Sequence, residues 1–329
     1  MVHFSYNDKS YLTFYPKFAE KLSSTFENNR IILNPETGKG TLEMIPLGDG
    51  IYASVTNFRL NIDFKFCRKK VEEPFFILHF DEMKANKDFA LRLDGELFKA
   101  KSHALTAAML TCSLFDLCYF LPAHTHKRSV NIILTKDWIK KYMNMGIDDE
   151  GICQTFFNLK LQHLTHEPFN TEYRTYFNQI FDTPADKPMR ELHIRNAVMM
   201  LIETYFSRLY KKQKSISELP TRNMQARDLY KLMEVESLLV KDFSKAPPTI
   251  VDLAAYTEMS VSKLKSSFKK VYGTGIYEYF QKNRMRKAQN MLLTHRYTVK
   301  EVGLQLGYTN LSNFSLAFKK EFGILPSEL

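Results

Sequence analysis

Near the C-terminal end of this 329-residue chain, small polar and basic side chains recur at helical spacing. Ser262, Lys263, Ser266 and Lys270 fall on one side, with Lys265 at its edge, while Leu264 and Phe268 fall on the other. Burying Leu264 and Phe268 turns the hydroxyls and ammonium groups outward. An outward face of this kind suits the major groove of DNA, which is about 12 Å wide and offers donors, acceptors and thymine methyls. A plain amphipathic hairpin with a solvated face has the same pattern, so the face alone does not decide.

A second chemistry could reside in His124 and His126, with His103 nearby. Histidines one residue apart on a strand project to the same side and can ligate a metal, as in a cupin-like metal-dependent enzyme. Yet the pair follows Leu121-Pro122, where a loop is the commoner setting, and no acidic partner stands at ligand spacing. Walker, GxSxG and HExxH motifs are absent. The expectation is therefore a non-enzyme with no catalytic residue, no cofactor and no metal. The alternative is an N-terminal cupin-like metal-dependent enzyme fused to a DNA-binding module.

Composition sets the frame for both readings. Hydrophobic residues make up 44%, with 26 Phe and 17 Tyr, and 25% are charged, which describes a globular chain rather than a disordered or fibrous one. No secretory signal opens the sequence, and the longest apolar stretch, Ser102 to Phe115, falls short of the roughly 20 residues a membrane span requires. Cys67, Cys112, Cys118 and Cys153 form no CxxC pair, so neither a disulfide framework nor a zinc knuckle is expected, and a reducing cytoplasm fits. Net charge is +10, and from Pro247 onward 12 Lys and Arg face 6 Asp and Glu, against 34 and 30 before it. That concentration of basic charge is the footprint expected of a nucleic-acid domain.

The elements that must hold these residues can be read from periodicity. From about Thr41 to Leu134, runs such as YASVTNFRLNIDFKF, FFILHF, LRLDGELFKA and SVNIILT alternate, with turns at Gly48-Asp49-Gly50, Asp94-Gly95 and Leu121-Pro122. They indicate an antiparallel sheet or a small barrel. After Trp138 the spacing becomes helical. Leu192, Val198, Leu201, Ile202, Tyr205 and Leu209 form one stripe, and a second helix runs from Asn223 to Phe243 before Pro247-Pro248 stops it. The stripe suits internal packing or a dimer seam.

Beyond Pro248 the sequence repeats. Ile250, Leu253 and Ala254 match Val299, Val302 and Gly303 at an offset of 49, whereas Ser262, Leu264, Phe268, Lys269, Lys270 and Gly273 match Ser312, Phe314, Phe318, Lys319, Lys320 and Gly323 at 50. One residue is inserted in the second turn and both flanking helices keep register. Each unit reads as a short helix capped by Thr249 or Thr298, a turn, and a longer helix closed by Gly273 or Gly323. Ile276 to Leu293 forms an intervening helix of about 27 Å. That length can hold two reading helices near the ~34 Å repeat of the major groove.

Thr249 to Leu329 resembles the DNA-binding domain of the AraC/XylS family. The resemblance is carried by Arg284 to Ala288, Gly307-Tyr308, Phe318-Lys319-Lys320 through Gly323, and Pro326-Ser327. It implies base contacts from Ser262, Lys265 and Ser266 in the first unit and from Ser312, Asn313, Ser315 and Leu316 in the second. Lys269, Lys270, Lys319 and Lys320 are assigned to phosphates or to solvent, and Lys263 is a further outward DNA-binding candidate. Three positions depart from the family pattern: Glu258 stands where the turn commonly has glycine, Gly303 replaces alanine, and Leu316 replaces a polar reader. The first unit is thus expected to be the stronger base reader. GIYASVTNF and EEPFFILHF faintly resemble the sensor part of siderophore-responsive relatives.

The resulting expectation is an α+β chain in three parts. Residues 1–185 form a β-rich sensor domain, a cupin-like barrel being one form of it. Residues 186–246 form a helical connecting and dimerisation segment. Residues 247–329 form an all-α domain with two helix-turn-helix units joined by a linker helix. The implied function is sequence-specific transcription regulation in the cytoplasm, with promoter or operator DNA, RNA polymerase, a small-molecule effector and a second copy of the chain as partners, and no membrane.

Overall fold

The computed structural model describes residues 1–7, 11–71, 75–87, 89–93, 96–100, 104–143, 167–214 and 226–329. His103, the Asp94-Gly95 turn, Cys153 and Asn223 lie outside the described residues. The chain divides into two compact units, Met1–Glu167 and Pro168–Leu329. Among the described residues no helix is long and apolar enough to cross a membrane.

The first unit is built on two sheets. One has the order β1 (Val2–Tyr6), β6 (Phe64–Arg68), β11 (Leu117–Leu121), β8 (Phe89–Leu93), β9 (Glu96–Ala100). The other runs β13 (Glu167–Pro168), β10 (Ala104–Cys112), β7 (Phe75–Lys84), β12 (His126–Thr135), β5 (Ile51–Leu60), β4 (Gly38–Gly48), β3 (Arg30–Ile32), β2 (Thr25–Glu27). Helix α1 (Tyr11–Lys21) adds Phe14 and Phe18 to an aromatic cluster with Phe4 and Phe66, while α2 (Lys136–Met143) follows β12. Of the two forms left open, antiparallel sheet or small cupin-like barrel, the barrel is corrected. A barrel needs every strand paired on both sides, and among the described residues no ladder joins the edges of one sheet to those of the other. Alternating strands with tight turns serve an open two-sheet stack equally well, so the sequence could not separate the two.

Register fixes what the strands present. Across the larger sheet, Ser54, Asn131 and His79 are direct neighbours, and so are Thr56, Ser129 and Asp81. These two polar rows face the smaller sheet, where Tyr119 lies 6.2 Å from His79, ring to ring. On the opposite face of the smaller sheet Cys67 stands directly across from Cys118, Cα to Cα 4.1 Å, and the two form a disulfide. The expectation that no cysteines pair is corrected here. Residues 51 apart in sequence become opposite members of adjacent antiparallel strands, a proximity that CxxC spacing does not report.

The second unit is helical: α3 (Thr171–Asp182), α4 (Arg190–Lys214), α5 (Ala226–Leu239), α6 (Ile250–Thr257), α7 (Val261–Tyr272), α8 (Ile276–Leu293), α9 (Val299–Gln305) and α10 (Leu311–Phe322), closed by a 3-10 turn at Pro326–Glu328. Two cores share α8 as their spine. Leu264, Phe268 and Tyr272 of α7 pack with Leu253 of α6, with Ile276, Tyr279 and Phe280 of α8, and with Leu232, Val235 and Leu239 of α5. Met285, Ala288 and Leu292 of α8 pack with Val302 and Leu306 and with Phe314 and Phe318 of α10. The helix expected to run to Phe243 ends at Leu239, well before Pro247, and the compact unit starts at Pro168, because α5 supplies one wall of the first core. On the α4 stripe, Val198, Leu201, Ile202 and Tyr205 are buried within the chain and Leu192 is half exposed, so the stripe as a whole is not an open seam.

Candidate nucleic-acid interface

Caps set the start and end of each helix that carries the outward residues. Thr249 and Ser260 accept from the backbone N–H groups of Asp252 and Lys263. Thr298 and Glu301 form a capping box, and Asn310, which the sequence reading did not single out, accepts from the N–H groups of Ser312 and Asn313. Gly273 and Gly323 close α7 and α10 with φ of 78° and 79°, the left-handed conformation in which glycine has no penalty.

With Leu264, Phe268, Phe314 and Phe318 fully buried, the opposite side of each helix is set. Ser262, Lys263, Lys265, Ser266, Lys269 and Lys270 are exposed on α7, and Ser312, Asn313, Leu316, Lys319 and Lys320 on α10. Ser315 is only partly exposed. Leu316 keeps 66% of its surface in solvent, a high value for a large apolar side chain. Two outward groups on α7 have internal partners: Lys263 Nζ lies 2.8 Å from Asp228 Oδ2 of α5, and the Ser266 hydroxyl donates to the Lys263 carbonyl.

Ion pairing sharpens the charge argument. Lys282 pairs with Glu278, Lys287 with Asp182 and Arg296 with Asp186, while Arg286 donates to Thr175. Lys265, Lys269, Lys270, Lys300, Lys319 and Lys320 carry no ion pair among the described residues, and all but Lys300 sit on α7 or α10. The basic excess is therefore available where the two outward faces are. Four of these lysines, Lys269, Lys270, Lys319 and Lys320, sit in last turns, where the helix dipole also favours a cation.

What holds the second helix pair against the spine was signalled by residue type without its role. Arg284 of α8 donates from Nε and Nη2 to the Leu306 carbonyl, and its guanidinium lies 3.9 Å from the centroid of the Tyr308 ring. Gln281 donates to the Tyr308 hydroxyl. The guanidinium satisfies a carbonyl that α9 leaves unpaired at its end and stacks on the aromatic of the following turn. Gly307 is required for a separate reason: φ is 76°, and a Cβ there would stand 2.1 Å from the Ser244 carbonyl oxygen.

Residues 253–329 match a family model described as a helix-turn-helix domain. The C-terminal segment of this chain is a helix-turn-helix domain of the AraC type. An uncharacterised HTH-type transcriptional regulator of Mycobacterium tuberculosis is 35% identical over 107 residues, covering 32% of this chain and 30% of the relative. The HTH-type transcriptional regulator GbdR of Pseudomonas aeruginosa is 23% identical over 136 residues, covering 41% and 37%. A solved transcriptional regulator from Chromobacterium violaceum with an AraC-type DNA-binding domain is 28% identical, covers 32% of this chain and 92% of that chain, and has a TM-score of 0.29. The chain thus spans about a third of the length of these curated relatives.

Within the helix-turn-helix domain the departures noted from sequence acquire local causes. Glu258 adopts the left-handed conformation, φ 51°, at the end of α6, and its carboxylate pairs with Lys231 at 2.9 Å. Gly303 leaves little room for a methyl group: a Cβ would lie 2.7 Å from a terminal carbon of Leu311 and 3.2 Å from the Phe314 ring. Its lost helix propensity, about 1 kcal/mol, is the counterpart of that close approach.

The histidines do not form the strand pair that the alternative metal-site reading requires. His124 sits in a turn before β12 with φ 65°, and only His126 is in the strand, where its Nε2 lies 3.3 Å from Asn57 Oδ1. No group of three His, Cys, Asp or Glu among the described residues could hold a metal ion.

Proposed function

We propose that the chain is a sequence-specific DNA-binding transcription regulator. Its two helix-turn-helix units, α6–α7 and α9–α10, place α7 and α10 in two successive major-groove segments. The observation that carries this reading is the duplicated arrangement in which fixed apolar residues bury one side and leave unpaired lysines with small polar side chains outward. Lys265 donates to guanine, Asn313 pairs with adenine, and Leu316 meets a thymine methyl. Lys269, Lys270, Lys319 and Lys320 meet phosphates and set register. Lys263, tethered to Asp228, contributes less than its neighbours. The first unit is the stronger reader.

In this reading the N-terminal unit modulates DNA engagement through a small-molecule effector or a second copy of the chain, acting with RNA polymerase at promoters in the cytoplasm. Its polar interior supports an effector role. Arg68 is 1% exposed and donates to the Cys112 carbonyl at 2.7 Å, and among the described residues neither its Nε nor the hydroxyl of buried Tyr119 has a hydrogen-bond partner. Buried polar groups left unpaired are costly unless something else meets them. Retention of duplex DNA by the purified chain, with affinity falling as salt rises, tests the reading; salt-independent or absent retention overturns it.

A further inference from the structure

The Cys67–Cys118 disulfide does not face the other sheet, although Cys67 itself is buried. It sits on the outward face of the smaller sheet, where Cys118 is the direct cross-strand neighbour of both Cys67 and Arg92, and Cys67 is the neighbour of Ser5. Both cysteines line a cleft of about 310 Å³ together with His3, Lys65, Lys69, Arg92 and Asp116. Lys65, Cys67 and Lys69 alternate along β6 and its end, so they project to one side. Among the described residues the one carboxylate lining this cleft, Asp116, lies 2.8 Å from Lys69 Nζ and accepts from the Lys70 N–H. Among the described residues Lys65 and Arg92 carry no ion pair and are left as the uncompensated charges beside the sulfurs.

Cations beside a cystine act on thiol–disulfide exchange in two ways. They concentrate anionic reagents, and they stabilise the thiolate that departs when the bond opens. Cys118 is partly exposed and Cys67 is 3% exposed, so attack falls on Cys118 Sγ and Cys67 leaves as the thiolate beside Lys65 and Lys69. We propose that Cys67–Cys118 is a redox site whose partner is an anionic low-molecular-weight thiol held in the basic cleft. One thiolate attacks Cys118 Sγ, forming a mixed disulfide and releasing Cys67, which takes up a proton. A second thiolate then attacks the bound reagent's sulfur, and Cys118 departs and takes up a proton. The net change is one protein disulfide and two thiols converted to one protein dithiol and one small disulfide, reversible without a further oxidant. The N-terminal unit thereby registers the thiol–disulfide poise of its surroundings, an input separate from any effector in the polar interior.

The test uses the full chain carrying Cys112→Ser and Cys153→Ser, equilibrated with oxidised glutathione and followed by thiol titration during reduction. Glutathione, an anion, is compared with cysteamine, a cation, each rate divided by that reagent's rate on an unhindered small disulfide. Glutathione is expected to be favoured about tenfold at low salt, within the range of electrostatic steering, with the preference collapsing near 0.5 M salt, where screening shortens to a few ångströms. Lys65→Glu with Arg92→Glu is expected to reverse the preference. The proposal is overturned if Cys67 and Cys118 titrate as free thiols after equilibration. Equal relative rates at low salt, or a preference that survives the charge reversal, overturn it as well.

Discussion

Removing the Glu236 carboxylate should unfold the helical unit far more readily than the position of α5, outside the matched helix-turn-helix segment, suggests. Glu236 is completely buried and Arg174 is 3% exposed, and they are joined by three contacts, Nη2 at 2.6 and 2.8 Å and Nε at 3.1 Å. Tyr279 of α8 places its hydroxyl 3.0 Å from the same carboxylate and 3.1 Å from the Phe169 carbonyl. The network thus ties α3, α5 and α8 together beneath the first core. Glu236→Ala leaves a guanidinium buried without its counter-charge, which costs about 3–5 kcal/mol. For a unit of this size each kcal/mol lowers Tm by roughly 2–4 °C, so a fall of about 10 °C is expected. Far-UV circular dichroism of the full chain on heating reads it, since this unit carries most of the helix. The double substitution Arg174→Met with Glu236→Leu removes both charges and should recover most of the loss, because apolar replacement of a buried pair is often neutral. If Glu236→Ala melts within about 2 °C of the parent, or the double variant melts as low as the single, the reasoning is refuted.

Gly307→Ala forces a side chain into left-handed backbone against the Ser244 carbonyl, so it should destabilise by about 3 kcal/mol or more. Gly273→Ala, where a Cβ meets nothing within 4 Å, should lose only about 1 kcal/mol; urea titration separates the two. Lys265→Ala should weaken a selected site more than random DNA, whereas Lys269→Ala should weaken both and reduce the salt slope by about one contact, as read by fluorescence anisotropy. Burial, the largest cause, lowers the His79 pKa to about 4 from its ordinary 6.5. Below 6.5 the unfolded chain then binds a proton that the folded chain refuses. Stability present above 6.5 is lost as pH falls toward 4, by about 3 kcal/mol. Denaturant midpoints for the parent against His79→Gln should diverge across that window and run parallel above it.

The two outward-facing helices, α7 and α10, were legible because a local rule generates them. Leu264 and Phe268, repeated as Phe314 and Phe318, fix a helix face from sequence alone, and the capping residues and closing glycines mark its ends. Glu258 was legible as an oddity for the same reason: the turn needs left-handed backbone whatever residue supplies it. What could not be read depends on distant residues meeting. The Arg174–Glu236–Tyr279 network spans more than 100 residues, and each member alone reads as an ordinary helix residue. The Lys263–Asp228 pair, which moderates one outward lysine, is equally non-local. The Cys67–Cys118 pairing follows from strand register, and open stack or closed barrel is decided by edge pairing, neither of which alternation encodes.

The central claim is that one chain reads two groove segments. Hydroxyl-radical footprinting of the full chain on DNA selected from a random pool measures this directly. Two protected segments on one face of the duplex, centred about 10 bp apart, are expected, the one contacted by α7 tolerating fewer base changes. A single protected segment, or no retained DNA at about 50 mM salt, contradicts the account.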